Sequence, residues 1–269
     1  MTTYQAIIGS LGYLMNCSRP DLAFAVNKLA QFGSAAGLCH LTAAKHVLRY
    51  IQHTINSRLS VNCGFSLRDA DDLKRSGDEL KLSVYFDSSW ADDMTDSRST
   101  YGYCIMYGTT TIAWKSRKHR GISLSTTDAE YVAACEATRE LMFVLNLFSD
   151  LRLPISQPVL LFGDNVNANS LANQTAVSSR TRHIALKERY VTEKCVDGII
   201  HVQKVDSTLQ VADIFTKPLP QDRFLSHAKS LGLFFGPTVE QVFLCHVCNS
   251  SFVSSNKLHG HIRTSHSGI

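Results

Sequence analysis

Four acidic residues lie at the ends of predicted strands or on predicted helices that face those strand ends. Asp87 and Asp164 each end an apolar strand. Glu130 lies one turn into a long amphipathic helix, and Asp213 lies within a late helix. Because strand ends and facing helices converge at one edge of an α/β sheet, we expect the four carboxylates to meet there. Such a cluster needs a cation, and two Mg²⁺ or Mn²⁺ ions roughly 4 Å apart would clamp the attacking and leaving oxygens of a phosphodiester.

A second set of side chains near the C-terminus has the spacing of zinc ligands. Cys245 and Cys248 are followed by His261 and His266, which lie about one helical turn apart. Two thiolates and two imidazoles form the tetrahedral set that Zn²⁺ prefers, and a module this small needs the metal to fold. The pattern resembles a Cys-Cys-His-His zinc finger, so we expect a ββα unit over residues 236–269.

The target of this finger is less sharply indicated than its fold. Lys257 is expected to face nucleic acid, because it lies on the predicted helix at a base-reading position. One finger covers only about three base pairs, which is too few for unassisted sequence-specific DNA binding. Nonspecific contact with nucleic acid and contact with protein both remain open.

The elements that would position the carboxylates form a mixed α/β layout. Apolar residues at helical spacing predict three helices within residues 4–55, so residues 1–63 are expected to form a small helical segment. A polar and charged linker follows at 64–81. Alternating and apolar runs then predict strands at 82–87, 101–107, 109–114, 159–162 and 199–205, with helices at 126–150, 167–173 and 209–216. This order predicts one mixed sheet with flanking helices over residues 82–235.

Composition narrows the class of protein without naming a function. The chain has 269 residues, of which 44% are hydrophobic, which is enough for a packed core. The formal charge of +4 permits a nucleic-acid partner but does not require one. There is no signal-peptide pattern and no apolar run of the roughly 18 residues that a membrane span needs, so we expect an intracellular protein without a membrane partner. No feature indicates an oligomeric state.

Six segments, in order, resemble the motifs of the ribonuclease H domain of copia-type retrotransposon polyproteins. They are residues 85–92, 98–103, 124–131, 163–165, 179–184 and 212–219. The resemblance implies a ribonuclease H-like fold and hydrolysis of the RNA strand of an RNA–DNA hybrid. It also implies that Asp87, Glu130, Asp164 and Asp213 hold Mg²⁺ or Mn²⁺. Ser89 and Asp128 depart from the family pattern, but neither is among these four.

The same resemblance assigns roles to a basic segment. His183 would be a further catalytic residue, and Arg180, Arg182 and Lys187 would contact phosphates. The helical segment at 1–63 resembles the tail of the reverse transcriptase that precedes the nuclease in such polyproteins. No Tyr-x-Asp-Asp polymerase motif is present, so DNA synthesis is not expected, and the chain resembles a remnant of a transposon.

Two alternatives stand beside the nuclease. In one, the nuclease is a relic and the zinc finger is the working module, which binds nucleic acid or protein. In the other, the whole chain is a decaying transposon product. The intact set of four carboxylates favours an active metal-dependent endoribonuclease, because decay would strike these positions as readily as others.

Overall fold

The computed structural model describes residues 3–60, 81–93, 95–153, 155–164, 182–236, 243–244 and 251–252, with the backbone alone at 182–188, 243–244 and 251–252. The chain begins with three helices, α1 Thr3–Cys17, α2 Ala23–Ala30 and α3 Leu38–His53. Pro20 starts a single 3₁₀ turn between α1 and α2, where its missing N–H costs no helical hydrogen bond. The helices share a core around Leu11, Leu22, Val26 and Ala44, which confirms the three-helix prediction.

A five-stranded mixed sheet forms the centre of the chain. After the short β1 Arg58–Leu59, its strands are β2 Leu82–Ser89, β3 Thr100–Tyr107, β4 Thr110–Lys118, β5 Val159–Gly163 and β6 Ile200–Lys204. Their order is β4-β3-β2-β5-β6, with β2 antiparallel to β3 and parallel to β5. The sheet confirms the mixed α/β prediction. A separate pair joins β1 to β7 Leu233–Phe234.

Side chains alternate along β2, so this strand contributes to a hydrophobic core on each face of the sheet. Leu82, Val84 and Phe86 join a core that is covered by helix α4 Thr126–Asp150 and helix α5 Arg182–Val196. Tyr85 faces the opposite core. That core lies beneath a late 3₁₀ helix, Val211–Phe215, and helix α6 Gln221–Ser230. Because the period of a strand is two residues, Asp87 lies on the same face as Tyr85.

Three helical elements differ from the sequence-based expectation, and the short strands β1 and β7 were not predicted. The helix predicted at 209–216 is the late 3₁₀ helix. Helix α5 was not predicted, because its sequence is rich in charged residues and shows no clear apolar stripe. Helix α6 was not predicted either, since Pro218 suggested a stop; Pro220 is in fact at its N-cap. The short helix predicted at 167–173 lies outside the described residues.

The N-terminal helices pack against the edge of the sheet. The indole Nε1 of Trp114 on β4 donates to the Met15 carbonyl at 2.9 Å, and Lys28 on α2 pairs with Asp92 at 2.5 Å. Among the described residues, no helix is both long and apolar enough to cross a membrane.

The C-terminal segment is described only at two short strands. β8 Phe243–Leu244 and β9 Ser251–Phe252 pair in antiparallel register. The predicted zinc ligands Cys245, Cys248, His261 and His266, and Lys257, lie outside the described residues.

Candidate active site

The site is built where the late 3₁₀ helix lies on the end of β2. Asp87 on β2 pairs with Gly102 on β3. A Cβ atom at Gly102 would lie 2.4 Å from the Cβ of Phe215, closer than such atoms can approach. Glycine at this position therefore lets the late 3₁₀ helix contact the sheet directly, which brings Asp213 and Thr216 beside Asp87.

Three aspartates from separate elements meet at this point. A carboxylate oxygen from each of Asp87, Asp164 and Asp213 lies within 4.8 Å of the other two. Asp87 and Asp213 are only 2% and 1% exposed, and Asp164 is half-buried. Asp164 follows Gly163, where a Cβ would lie 2.6 Å from the ring of Phe86, so this glycine allows β5 to approach β2 closely.

Glu130 reaches the cluster from helix α4. Its Oε1 accepts hydrogen bonds from the backbone N and from the Oγ of Ser88, at 3.3 and 3.0 Å. Because Ser88 follows Asp87, these bonds tie α4 to the end of β2. The other oxygen, Oε2, is buried and has no hydrogen-bond partner among the described residues. A buried carboxylate oxygen without a hydrogen-bond partner is available to bind a cation.

Burial makes negative charge costly in the cluster. Burial raises the pKa of Asp87 to about 7; Lys217 opposes the shift, while Asp213 and Asp164 add to it. Burial also raises the pKa of Glu130 well above its ordinary value, with Asp87 and Asp164 adding to the effect. Within the described part of the structure, the four carboxylates share two cationic neighbours, Lys217 and Arg223, so a bound cation would offset the cost of ionising them. Its donors are hard carboxylate oxygens, a set that fits Mg²⁺ or Mn²⁺.

Three polar residues around the cluster were not singled out from the sequence. Lys217 Nζ lies 2.8 Å from Asp213 Oδ1 and 3.7 Å from Asp87 Oδ2. Thr216 donates a hydrogen bond to Asp87 Oδ2. Arg223 Nη2 lies 3.2 Å from Asp213 Oδ2. Thr216 and Lys217 fall within the 212–219 motif, which was the available signal, whereas Arg223 belongs to the unpredicted helix α6.

Gln210 joins the elements that carry the aspartates. This side chain is fully buried, and its Nε2 donates to the carbonyls of Phe86 and Phe162 at 3.0 and 3.4 Å. Its Oε1 accepts from the backbone N of Ala212 at 3.2 Å. One amide therefore links β2 and β5 to the start of the late 3₁₀ helix. No motif in the sequence pointed to it.

The predicted basic segment can be placed only in part. Arg182, His183 and Lys187 lie on the backbone of α5, but their side chains are outside the described residues, and so is all of Arg180. Their predicted contacts with the substrate stay predictions.

Comparison with solved structures gives weak likenesses. The N-terminal RNase H domain of Rv2228c from Mycobacterium tuberculosis covers 56% of this chain and is itself covered to 99%, with 13% identity and a TM-score of 0.37. LC11-RNase H1, solved in complex with an RNA/DNA hybrid, covers 51% of this chain and is itself covered to 94%, with 14% identity and a TM-score of 0.39.

Comparison with known sequences is more informative, although no protein-family model matches the chain. A secreted RxLR effector protein of Plasmopara viticola is 38% identical over 141 residues, which are 52% of this chain and 90% of that protein. Two retrovirus-related Pol polyproteins of Arabidopsis thaliana, from transposons RE1 and RE2, are 33% and 34% identical over 86% and 88% of this chain. The chain spans 15% of the length of each polyprotein. Its homologues thus include retrovirus-related Pol polyproteins of plant transposons.

Proposed function

We propose that this chain is a metal-dependent endoribonuclease that cleaves the RNA strand of RNA–DNA hybrids, as in copia-type elements. The observation that carries the proposal is the approach of Asp87, Asp164 and Asp213 to within 4.8 Å, with Glu130 beside them. A buried cluster with excess negative charge is a costly arrangement in a protein that binds no cation. The homology to Pol polyproteins supports a nucleic-acid substrate.

The four carboxylates would hold Mg²⁺ or Mn²⁺, which supplies an activated water and neutralises charge on the phosphodiester. The chain's own contribution is to fix these oxygens on rigid elements. Ser88 orients Glu130, and Thr216 orients Asp87. We further propose that His183 acts at the same site, and that Arg180, Arg182 and Lys187 contact phosphates. Selectivity for RNA would come from contacts to the 2′-hydroxyl in a shallow minor groove.

Cleavage of a labelled RNA–DNA hybrid with Mg²⁺ or Mn²⁺ tests the proposal. We expect wild-type chain to cut the RNA strand, and Asp87→Asn and Glu130→Gln to lose on the order of 100-fold or more in rate. Asp150→Asn is the matched control, because Asp150 is exposed at the far end of the helix that carries Glu130. A folded wild-type chain that cleaves no hybrid would contradict the proposal.

The spacing of Cys245, Cys248, His261 and His266 supports a second, separate function. We propose that residues 236–269 bind Zn²⁺ and contact nucleic acid, in part through Lys257, or contact protein. Measurement of bound zinc, with Cys245→Ser as the comparison, tests the metal site. Removal of residues 240–269 should then weaken retention of the chain on nucleic acid or on a protein partner. If retention is unchanged, the zinc finger does not contribute to binding. If the shortened chain no longer binds at all, the finger is the binding module and the nuclease is a relic.

A further inference from the structure

Lys217 lies between two of the clustered carboxylates. Its Nζ is 2.8 Å from Asp213 Oδ1 and 3.7 Å from Asp87 Oδ2. Both aspartates are buried, whereas the lysine side chain is 36% exposed. The ammonium group therefore enters the cluster from the solvent side, and it can withdraw without crossing the protein core.

Among the residues that the structure describes, Arg223 is a second cation at the cluster, and its contacts differ from those of Lys217. Its Nη2 contacts Asp213 Oδ2 at 3.2 Å and also donates to the Ser207 carbonyl at 2.9 Å. The second bond anchors the guanidinium at the outer side of Asp213. Lys217 has two carboxylates as its partners, so its charge lies where the negative fields of both side chains overlap.

The lysine ammonium and a divalent cation cannot occupy this place together. A divalent cation bound to the oxygens that Lys217 contacts would lie close to the ammonium group, and two cations at such short separation in a buried site repel each other strongly. An ammonium group has no lone pair, so Lys217 cannot itself become a metal ligand while it remains charged. Cation binding at these oxygens therefore requires Lys217 to move.

We propose that Lys217 is a built-in counter-ion, which neutralises the carboxylate cluster in the metal-free chain and is displaced when a divalent cation binds. The inference rests on the proposed metal-dependent function and deepens it, because the lysine then sets the metal concentration at which the site fills. It stabilises the metal-free fold and weakens metal binding by the same competition. Lys217 acts through Asp87 and Asp213, and so it is a positioning residue.

Mn²⁺ binding to the full chain at pH 8, followed by electron paramagnetic resonance, tests the competition without a catalytic readout. Lys217→Met keeps the length of the side chain but removes its charge. We expect this variant to bind Mn²⁺ about tenfold more tightly, which corresponds to roughly 1.4 kcal/mol. Without metal, its melting temperature should fall below that of wild type, and saturating Mn²⁺ should restore it.

Two further variants make the result specific. Lys217→Arg keeps the positive charge and should bind Mn²⁺ with near wild-type affinity. Lys194→Met removes a lysine that pairs with Glu193 and Asp197 outside the cluster, and it should leave Mn²⁺ binding unchanged. Circular dichroism confirms that each variant is folded; should Lys217→Met not fold, Lys217→Gln takes its place.

The outcomes separate this inference from the proposed function. Wild-type chain that binds no Mn²⁺ would overturn the metal-dependent nuclease and the counter-ion together. Wild-type chain that binds Mn²⁺ with an affinity that Lys217→Met leaves unchanged or weakens would overturn the counter-ion alone. Tighter binding in Lys217→Met, with Lys217→Arg near wild type, supports the displacement of the lysine by the metal.

Discussion

Two buried aspartates in this chain are neutralised to very different degrees. Asp21, in the 3₁₀ turn before α2, accepts hydrogen bonds from Nε and Nη2 of Arg19 at 3.0 and 2.8 Å and from the hydroxyl of Tyr50 at 2.7 Å. Arg19 in turn donates to Thr54. Asp87, at the end of β2, shares its surroundings with two more aspartates and a glutamate, and Lys217, its nearest cation in the described part of the chain, is closer to Asp213.

The difference separates a structural carboxylate from one that is prepared for a ligand. Asp21 has a bidentate partner of opposite charge, as a buried ion needs. Asp87 is equally buried, but like charges surround it. Within the described ranges, Asp21 has a cation of its own, whereas the carboxylates around Asp87 outnumber their cations. That arrangement is the one expected of a site that binds an added cation. Three predictions test this contrast, from the largest expected effect to the smallest.

The largest expected effect is the loss of stability when Asp21 loses its ion-pair partner, Arg19. Arg19→Met leaves Asp21 buried without its counter-ion, and we expect the free energy of unfolding to fall by about 3–5 kcal/mol. Urea denaturation followed by circular dichroism measures the loss. The double variant Arg19→Met with Asp21→Leu removes both charges and should recover most of the stability. A loss below about 1 kcal/mol in Arg19→Met would show that the pair is not structural.

The carboxylate cluster should be most sensitive to the close contact between the late 3₁₀ helix and the sheet at Gly102. Gly102→Ala places a Cβ against Phe215 and Thr216, so the late 3₁₀ helix must move away from the sheet. Overpacking of this kind costs about 1–3 kcal/mol, and we expect weaker Mn²⁺ binding because Asp213 moves with the helix.

Gly121→Ala is the control for that prediction. A Cβ at Gly121 meets no heavy atom within 4 Å, and the residue lies in the loop before α4. Its stability and Mn²⁺ affinity should match wild type. Equal Mn²⁺ affinity in Gly102→Ala and wild type would mean that the late 3₁₀ helix does not need this contact to place Asp213.

The parts of the site that sequence could predict are those with a local pattern. Asp87 and Asp164 each follow an apolar run that identifies a strand, and Glu130 lies on a helix whose apolar stripe predicts its bounds, 126 and 150. Elements of this kind are specified by neighbouring residues. Their order along the chain was then enough to predict a shared sheet edge.

The remaining parts depend on contacts between segments that are distant in sequence. The late 3₁₀ helix has too few residues for a periodic pattern, and its place on the sheet depends on Gly102 and on the bonds of Gln210 to Phe86 and Phe162. Lys217 and Arg223 reach Asp213 only because the chain turns back there. Their charges alone are those of ordinary surface residues, so only the 212–219 motif pointed to Lys217, and no sequence signal pointed to Arg223.

The smallest predicted effect is the response of the metal-free chain to pH. Burial raises the pKa of Asp87 from 3.8 to about 7 in the folded state. A folded state that binds a proton more tightly than the unfolded chain is favoured at low pH. This contribution is therefore fully present below pH 3.8 and is lost as pH rises through 7. Between pH 6 and pH 7, the folded state should therefore lose about 1 kcal/mol of stability.

Melting of wild type and Asp87→Asn across this pH range, with metal removed by chelation, isolates the effect. Asparagine cannot ionise, so the difference in stability between the two proteins should change by about 1 kcal/mol from pH 6 to pH 7, in favour of Asp87→Asn at the higher pH. Asp150→Asn, which removes an exposed carboxylate, should follow wild type. Parallel curves for wild type and Asp87→Asn would show that Asp87 is as well neutralised as Asp21, and the contrast between the two aspartates would fail.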